Sequence, residues 1–168
     1  VMYVSRWLQS SGLQQPIIVD VGTGSGAIGV SLSLLHPESS VYALDISPAA
    51  LTIAQRNAAC LAADNCHFVE SDLLLGLPEN VRPDVVVANL PYIDTETLGA
   101  LAVARWEPVL ALDGGPDGLR DIKQLLAQAT QVAHPQTQVF LEIGADQGDF
   151  FRNQATDFQS LQVHKDLS

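Results

Sequence analysis

The stretch Pro16-Ile-Ile-Val-Asp20-Val-Gly22-Thr-Gly24-Ser-Gly26-Ala-Ile-Gly29 decides the architecture of this 168-residue chain. Its β-branched run reads as a strand over Pro16 to Val21 that passes directly into a glycine-rich turn. A helical pattern follows from Gly26 to Leu35 and stops at His36-Pro37, because proline cannot continue a helix. The same alternation repeats outward from this unit. Ser40 to Asp45, His67 to Glu70, Asp84 to Asn89 and Gln138 to Ile143 are the other expected strands. Pro48 to Ala63, opened by Ser47 as N-cap, is the next expected helix, followed by Gly118 to Ala133 and Gln147 to Thr156. Such alternation implies a mostly parallel sheet, and right-handed crossovers make it a doubly wound α/β fold. Ligands of such sheets sit outside the carboxyl ends of the strands, where the strand order reverses. The irregular stretch from Leu90 to Pro116 is long for a connection in a compact domain, so it is expected to carry function.

Composition narrows the partners. Apolar residues are 47% of the chain and charged ones 16%, which excludes a disordered segment and leaves enough apolar surface for a sizeable core. Eight Lys and Arg against nineteen Asp and Glu give a formal net charge of -11, which opposes phosphate backbones and anionic lipid. Cys60 and Cys66 are too few for a disulfide framework and lack a second pair at zinc spacing. They are expected to be reduced, mostly buried thiols, with no metal site. No apolar run approaches the ~20 residues of a membrane span and no signal pattern opens the chain, so the expected location is the cytoplasm. The chain begins at Val1 and is expected to be cut at both ends from something longer. Four scattered histidines without a nucleophile elbow argue against a triad hydrolase.

The glycine turn lets a ligand approach bare backbone amides at the positive end of a helix, so a nucleotide-like ligand is expected there. Gly24-x-Gly26-x-x-Gly29, with Asp45 at a strand end 21 positions after Gly24, formally satisfies a dinucleotide fingerprint. Asp45 can accept from both ribose hydroxyls of any adenosine cofactor and does not discriminate among them. Asp20 does: a carboxylate at the mouth of the loop suits the ammonium of a methionyl group and repels a pyrophosphate, favouring S-adenosylmethionine over NAD. Asp72, after the third strand, would accept from the adenine amino group, a turn-capping role being the competing reading. The segment Val85-Val-Val-Ala-Asn89-Leu-Pro91-Tyr92 then delivers an amide, a proline and an aromatic at a strand end. An amide or aromatic amine nitrogen is a poor nucleophile because its lone pair is delocalised. The Asn89 side-chain oxygen and a nearby backbone carbonyl can hold both its N–H bonds and aim that lone pair at a methyl group. Tyr92 can stack on a planar substrate group.

Asp20-x-Gly22-x-Gly24-x-Gly26, Asp45 and Asn89-x-Pro91-Tyr92 together resemble the class I S-adenosylmethionine-dependent methyltransferases that modify planar nitrogens of DNA adenine, ribosomal RNA adenine or protein glutamine. Glu107-Pro108-x-x-Ala111-Leu112-x-Gly114-Gly115-x-Asp117-Gly118-Leu119 is similar to the corresponding stretch of the glutamine N5-methyltransferases that modify peptide-chain release factors. Leu141-Glu142-x-Gly144-x-x-Gln147 fits the same family. The resemblance implies a Rossmann-like catalytic domain over residues 1–168, without the family's amino-terminal helical domain and final strand pair. It implies S-adenosylmethionine held by Asp20, Gly22, Thr23, Gly24, Gly26, Asp45, Ile46, Asp72 and Asn89. Asn89, the Pro91 carbonyl and Tyr92 would hold the glutamine amide of a release factor. Glu107-Pro108 and Gly114-Gly115 fit either a folded loop or a direct catalytic role. Leu90 stands where this family usually has proline, and Asn-Leu-Pro-Tyr is the form of the ribosomal RNA adenine dimethyltransferases. The rival expectations are therefore an RNA or DNA adenine N6-methyltransferase and a cofactor-binding module without catalysis.

Overall fold

The computed structural model describes residues 1–100, 109–153 and 160–164. The elements run α1 (Met2–Ser11), β1 (Ile17–Val21), α2 (Ala27–Leu35), β2 (Ser40–Asp45), α3 (Pro48–Leu61), β3 (Cys66–Glu70) and β4 (Val85–Ala88). They continue with α4 (Thr95–Ala100), a 3-10 turn at Val109–Ala111, α5 (Arg120–Val132), β5 (Gln138–Leu141) and α6 (Gly148–Asn153). Among the described residues the five strands form one sheet of order β3-β2-β1-β4-β5, with every pairing parallel. The doubly wound expectation holds, and the order reverses between β1 and β4.

The described chain divides into two compact units, Val1–Leu90 with Ile122–Leu141, and Pro91–Asp121 with Glu142–Ser168. The first holds the sheet. Its central strands read as unbroken apolar runs because both of their faces are covered: all four residues of β4 are buried, as are Ile18, Val19 and Val21 of β1. Each such side chain contributes up to ~1.5–3 kcal/mol by leaving water. Helix α1, which the sequence reading did not anticipate, adds Val4 and Leu8 to a cluster with Ile18, Leu32, Val41, Val85 and Val87. Their spacing of four puts both on one helical face, and Gly12 ends the helix at φ 75°.

Element boundaries move for local reasons. Ser47 caps α3 by accepting from Ala50 N, as expected, but Ala62 takes a left-handed φ of 57° and ends the helix at Leu61. Gly118, at φ 67°, is not helical, so α5 starts at Arg120. The long stretch after Leu90 is not wholly irregular, for it carries α4. The expected carboxyl-terminal helix is seen over Gly148–Asn153, and Thr156 lies outside the described residues. The thiols are not mostly buried: Cys60 is exposed on α3 and Cys66 is half-buried at the start of β3, where burial pushes its thiol up to about 11. A helix flanking the sheet leaves its outer face to water, and Cys60 lies on such a face.

In the second unit, Ile93 and Asp113 form a parallel bridge, and Gly114 N donates to the Ile93 carbonyl at 2.8 Å. Thr95 Oγ1 donates to Asp113 Oδ1 at 2.7 Å, closing the start of α4 onto the same turn. No described helix is long and apolar enough to cross a membrane.

Candidate active site

β1 carries Asp20 into the interior of the first unit, where it is 1% exposed. Its Oδ2 accepts from Thr23 Oγ1 at 2.6 Å and from Gly29 N at 2.8 Å, tying the start of the glycine turn to the first turn of α2. A Cβ at Gly29 would lie 2.9 Å from that same oxygen, so only glycine lets the helix approach this closely. Gly26 caps α2 at φ 86°, a conformation that strains any L side chain. The other carboxylate oxygen, Oδ1, is buried and has no hydrogen-bond partner among the described residues. Burial raises Asp20 from 3.8 to about 6, with the Thr23 and Gly29 hydrogen bonds pulling partly against it. A buried carboxylate oxygen lacking a donor suits a cationic or N–H-bearing ligand group.

The sheet register sets the neighbours of this turn. Val21 pairs with Leu44 on one side and with Ala88 on the other, so Gly22 leaves the sheet between the strand ends that carry Asp45 and Asn89. Asp45 is a clasp as well as a candidate ribose acceptor: Oδ2 accepts from Gly24 N at 2.8 Å and Oδ1 from Ser47 N at 2.9 Å. A carboxylate has about four lone-pair sites, so acceptor capacity remains for hydroxyl groups. Ile46, next along, is 55% exposed and gives this edge an apolar surface. Ser71 N donates to the Asp45 carbonyl at 2.9 Å, and Ser71 Oγ closes the following turn by donating to the Leu73 carbonyl and accepting from Gly76 N. Asp72 lies exposed on that turn. Asp20, Gly22, Thr23, Gly24, Gly26, Asp45, Ile46, Asp72 and Asn89 thus all belong to one edge of one unit.

At the end of the fully buried β4, Asn89 is exposed while Leu90 turns inward and is 5% exposed. Leu90 Cδ2 lies 2.9 Å from where a Cβ on Gly22 would be. The residue that departs from the family pattern is therefore an apolar filler against the glycine turn. Pro91 and Tyr92, the next residues along the chain, open the second unit and are half-buried. Burial raises the Tyr92 phenol, and the Glu142 carboxylate beside it raises it further by its charge and a hydrogen bond. The Tyr92 carbonyl accepts from Gln147 Nε2 at 3.0 Å. Sequence reading quoted Glu142 and Gln147 only as part of a resemblance and assigned them no role. Glu107 and Pro108 lie outside the described residues. No group of three or more His, Cys, Asp or Glu able to hold a metal occurs among the described residues.

Comparison with known proteins bears on the family and the fold. A family described as "Methyltransferase domain" matches residues 15–159. The chain is 49% identical over 140 residues to a release factor glutamine methyltransferase of Moorella thermoacetica, covering 82% of this chain and 49% of that protein. A release factor glutamine methyltransferase of Cereibacter sphaeroides is 40% identical over 146 residues, covering 84% of this chain and 52% of its own length. The chain thus spans about half the length of the curated relatives it matches. Among solved structures, a ribosomal protein L11 methylase from Lactobacillus delbrueckii subsp. bulgaricus shares the fold with a TM-score of 0.63 at 19% identity, covering 93% of this chain and 67% of that one.

A parallel five-stranded sheet with a glycine turn at its switch point is a frame that methyltransferase domains share with dinucleotide-binding proteins, and the family match decides for the first. The chain belongs to the methyltransferase domain family, and its cofactor is S-adenosylmethionine. The residues fit that cofactor: Asp20 keeps an unpartnered buried oxygen, three of the five residues of the turn after β1 are glycines, and Asp45 retains acceptor capacity. Asp45→Ala is expected to weaken S-adenosylmethionine binding by ~1.5–3 kcal/mol, the value of hydrogen bonds to a charged group. The same change leaves Gly24 N without its partner. Calorimetric affinity unchanged by the substitution would remove Asp45 from the pocket.

Proposed function

We propose that this domain transfers a methyl group from S-adenosylmethionine to the side-chain amide nitrogen of a glutamine in a peptide-chain release factor. The observation that carries the reading is Asn89, exposed at the carboxyl end of a wholly buried strand and one strand over from the glycine turn. Two relatives, 49% and 40% identical and both known as release factor glutamine methyltransferases, support the choice of substrate. In this reading the whole of residues 1–168 acts as one catalytic domain and the reaction takes place in the cytoplasm.

When bound, S-adenosylmethionine supplies an electrophilic methyl carbon on a sulfonium, which leaves as a neutral thioether without needing an acid. The residues of the chain supply position. Asn89 Oδ1 and the Pro91 carbonyl, two residues apart in sequence, accept the two N–H bonds of the glutamine amide and turn its lone pair toward the methyl group. Tyr92 packs against the planar amide. Held by Asp20, Asp45 and the glycine turn, S-adenosylmethionine would supply the methyl carbon and take up the electron pair of the C–S bond it gives up, and the surplus amide proton would leave to water.

Charge supports a protein substrate over a nucleic acid, since a net charge of -11 repels phosphates. The test is transfer of radiolabelled methyl to purified release factor, ribosomal RNA and duplex DNA. Label is expected in the release factor and in a peptide containing its target glutamine. Label confined to nucleic acid would make the domain an adenine methyltransferase, and cofactor binding without transfer would make it a binding module.

A further inference from the structure

The segment that begins with Tyr92 is held by residues far along the chain. Gln147 is 7% exposed, and its side chain is fully used. Oε1 accepts from Gly144 N at 2.9 Å, while Nε2 donates to the carbonyls of Tyr92 and Gly118, each at 3.0 Å. A primary amide has two N–H donors, and both are spent on main-chain oxygens.

Gly114 and Gly118 have their reason in the same contact. A Cβ on Gly118 would fall 2.3 Å from the Tyr92 carbonyl oxygen and 2.7 Å from Gln147 Nε2. A Cβ on Gly114 would fall 2.7 Å from the Pro91 carbonyl oxygen and equally close to that of Gly118. The loop is a bare cradle for two successive carbonyl groups. Of those two, Tyr92's is taken by Gln147, whereas Pro91's receives no hydrogen bond among the described residues. At the other end of Tyr92, the Glu142 carboxylate meets its phenol. Glu142 and Gln147 both belong to the short segment that follows β5.

We propose that Gln147 is a positioning residue, which clamps the Tyr92 carbonyl so that the phenol meets Glu142 and the Pro91 carbonyl is left as a free acceptor. The clamp accounts for a buried, fully bonded amide that the transfer chemistry itself does not use. It rests on the reading of Pro91 and Tyr92 given above for what it contributes to turnover, but not for the contact itself. Replacing Gln147 by Glu keeps the acceptor for Gly144 N and the shape, yet sets a negative charge against two carbonyl oxygens. Replacing it by Met keeps the bulk and removes all three bonds.

Both variants are to be compared by kcat, by calorimetric S-adenosylmethionine affinity, and by titration of Tyr92 in ring-labelled protein, its signal assigned through its absence in Tyr92→Phe. Expected are a kcat lower by about 10²-fold, the scale of a small misplacement of reacting groups, and unchanged cofactor affinity. The Tyr92 titration should move down toward that of an ordinary tyrosine as the phenol leaves Glu142. Gln147→Glu should be the more damaging of the two. If one variant fails to fold, the other carries the test. A Tyr92 titration that stays in place, a kcat loss matched by loss of cofactor affinity, or collapse of both variants would overturn the proposal. A titration that moves while no release factor accepts label would uphold the clamp and overturn only the substrate reading.

Discussion

Replacing Asn89 by alanine is expected to cut turnover by about 10²–10³-fold while leaving S-adenosylmethionine binding nearly intact. Asn89 follows four buried residues but is itself exposed, so its side chain fills no space in the core. In the proposed reading, its removal takes one of two acceptors from the substrate amide. Loss of a single preorganised hydrogen-bonding group at a reacting centre lowers kcat by about 10²–10³-fold in other enzymes. In the proposed reading the effect belongs in kcat, because the group aims a lone pair at the reacting centre. Steady-state kinetics with calorimetric titration of the cofactor separates the two. A variant that loses cofactor affinity in proportion to turnover would show that Asn89 serves the pocket and not the acceptor.

Asp20→Asn is expected to stabilise the ligand-free protein at neutral pH and to weaken its cofactor. Asp20 titrates near 3.8 when unfolded and at about 6 in the fold. Between those values the folded chain holds more protons than the unfolded one, so stability falls as pH rises through this window. Above about pH 6 the full cost of the buried charge is present, on the order of 3 kcal/mol. Asparagine keeps an oxygen for Thr23 and Gly29 without that charge, and its advantage over wild type should fade as pH drops from 7 to 4. Thermal denaturation across that range measures it. The cofactor brings a compensating positive charge, so wild-type affinity should weaken as pH falls through about 6 while the affinity of the variant stays flat. Parallel pH profiles for the two proteins would show that Asp20 does not face the cationic part of the ligand.

What the sequence disclosed is what has a local cause. Strand ends are legible because burial on both faces demands unbroken apolar runs such as Val85 to Ala88, and α3 because Ser47 and Pro48 mark its start. The places of Asp20, Asp45 and Asn89 are legible because each falls where an apolar strand run stops. The remainder depends on partners distant in the chain. Gln147 reaches Tyr92 across 55 positions, and Asp45 holds Gly24 across 21, so neither role is visible in a window of neighbouring residues. Helix α1 left a trace in the spacing of Val4 and Leu8, but its amphipathic face acquires meaning only from the sheet that covers it. Within the long segment after Leu90, the six described residues of α4 are too few to establish a period.

Leu90 and Gly22 are not equally free to change. The leucine methyl lies 2.9 Å from where a Cβ at position 22 would stand, yet it is the far end of a side chain and could give way. The backbone at 22 could not, because its φ of 70° strains any L side chain even when the space beside it is cleared. Descendants of this sequence should therefore vary at 90 and keep the glycine.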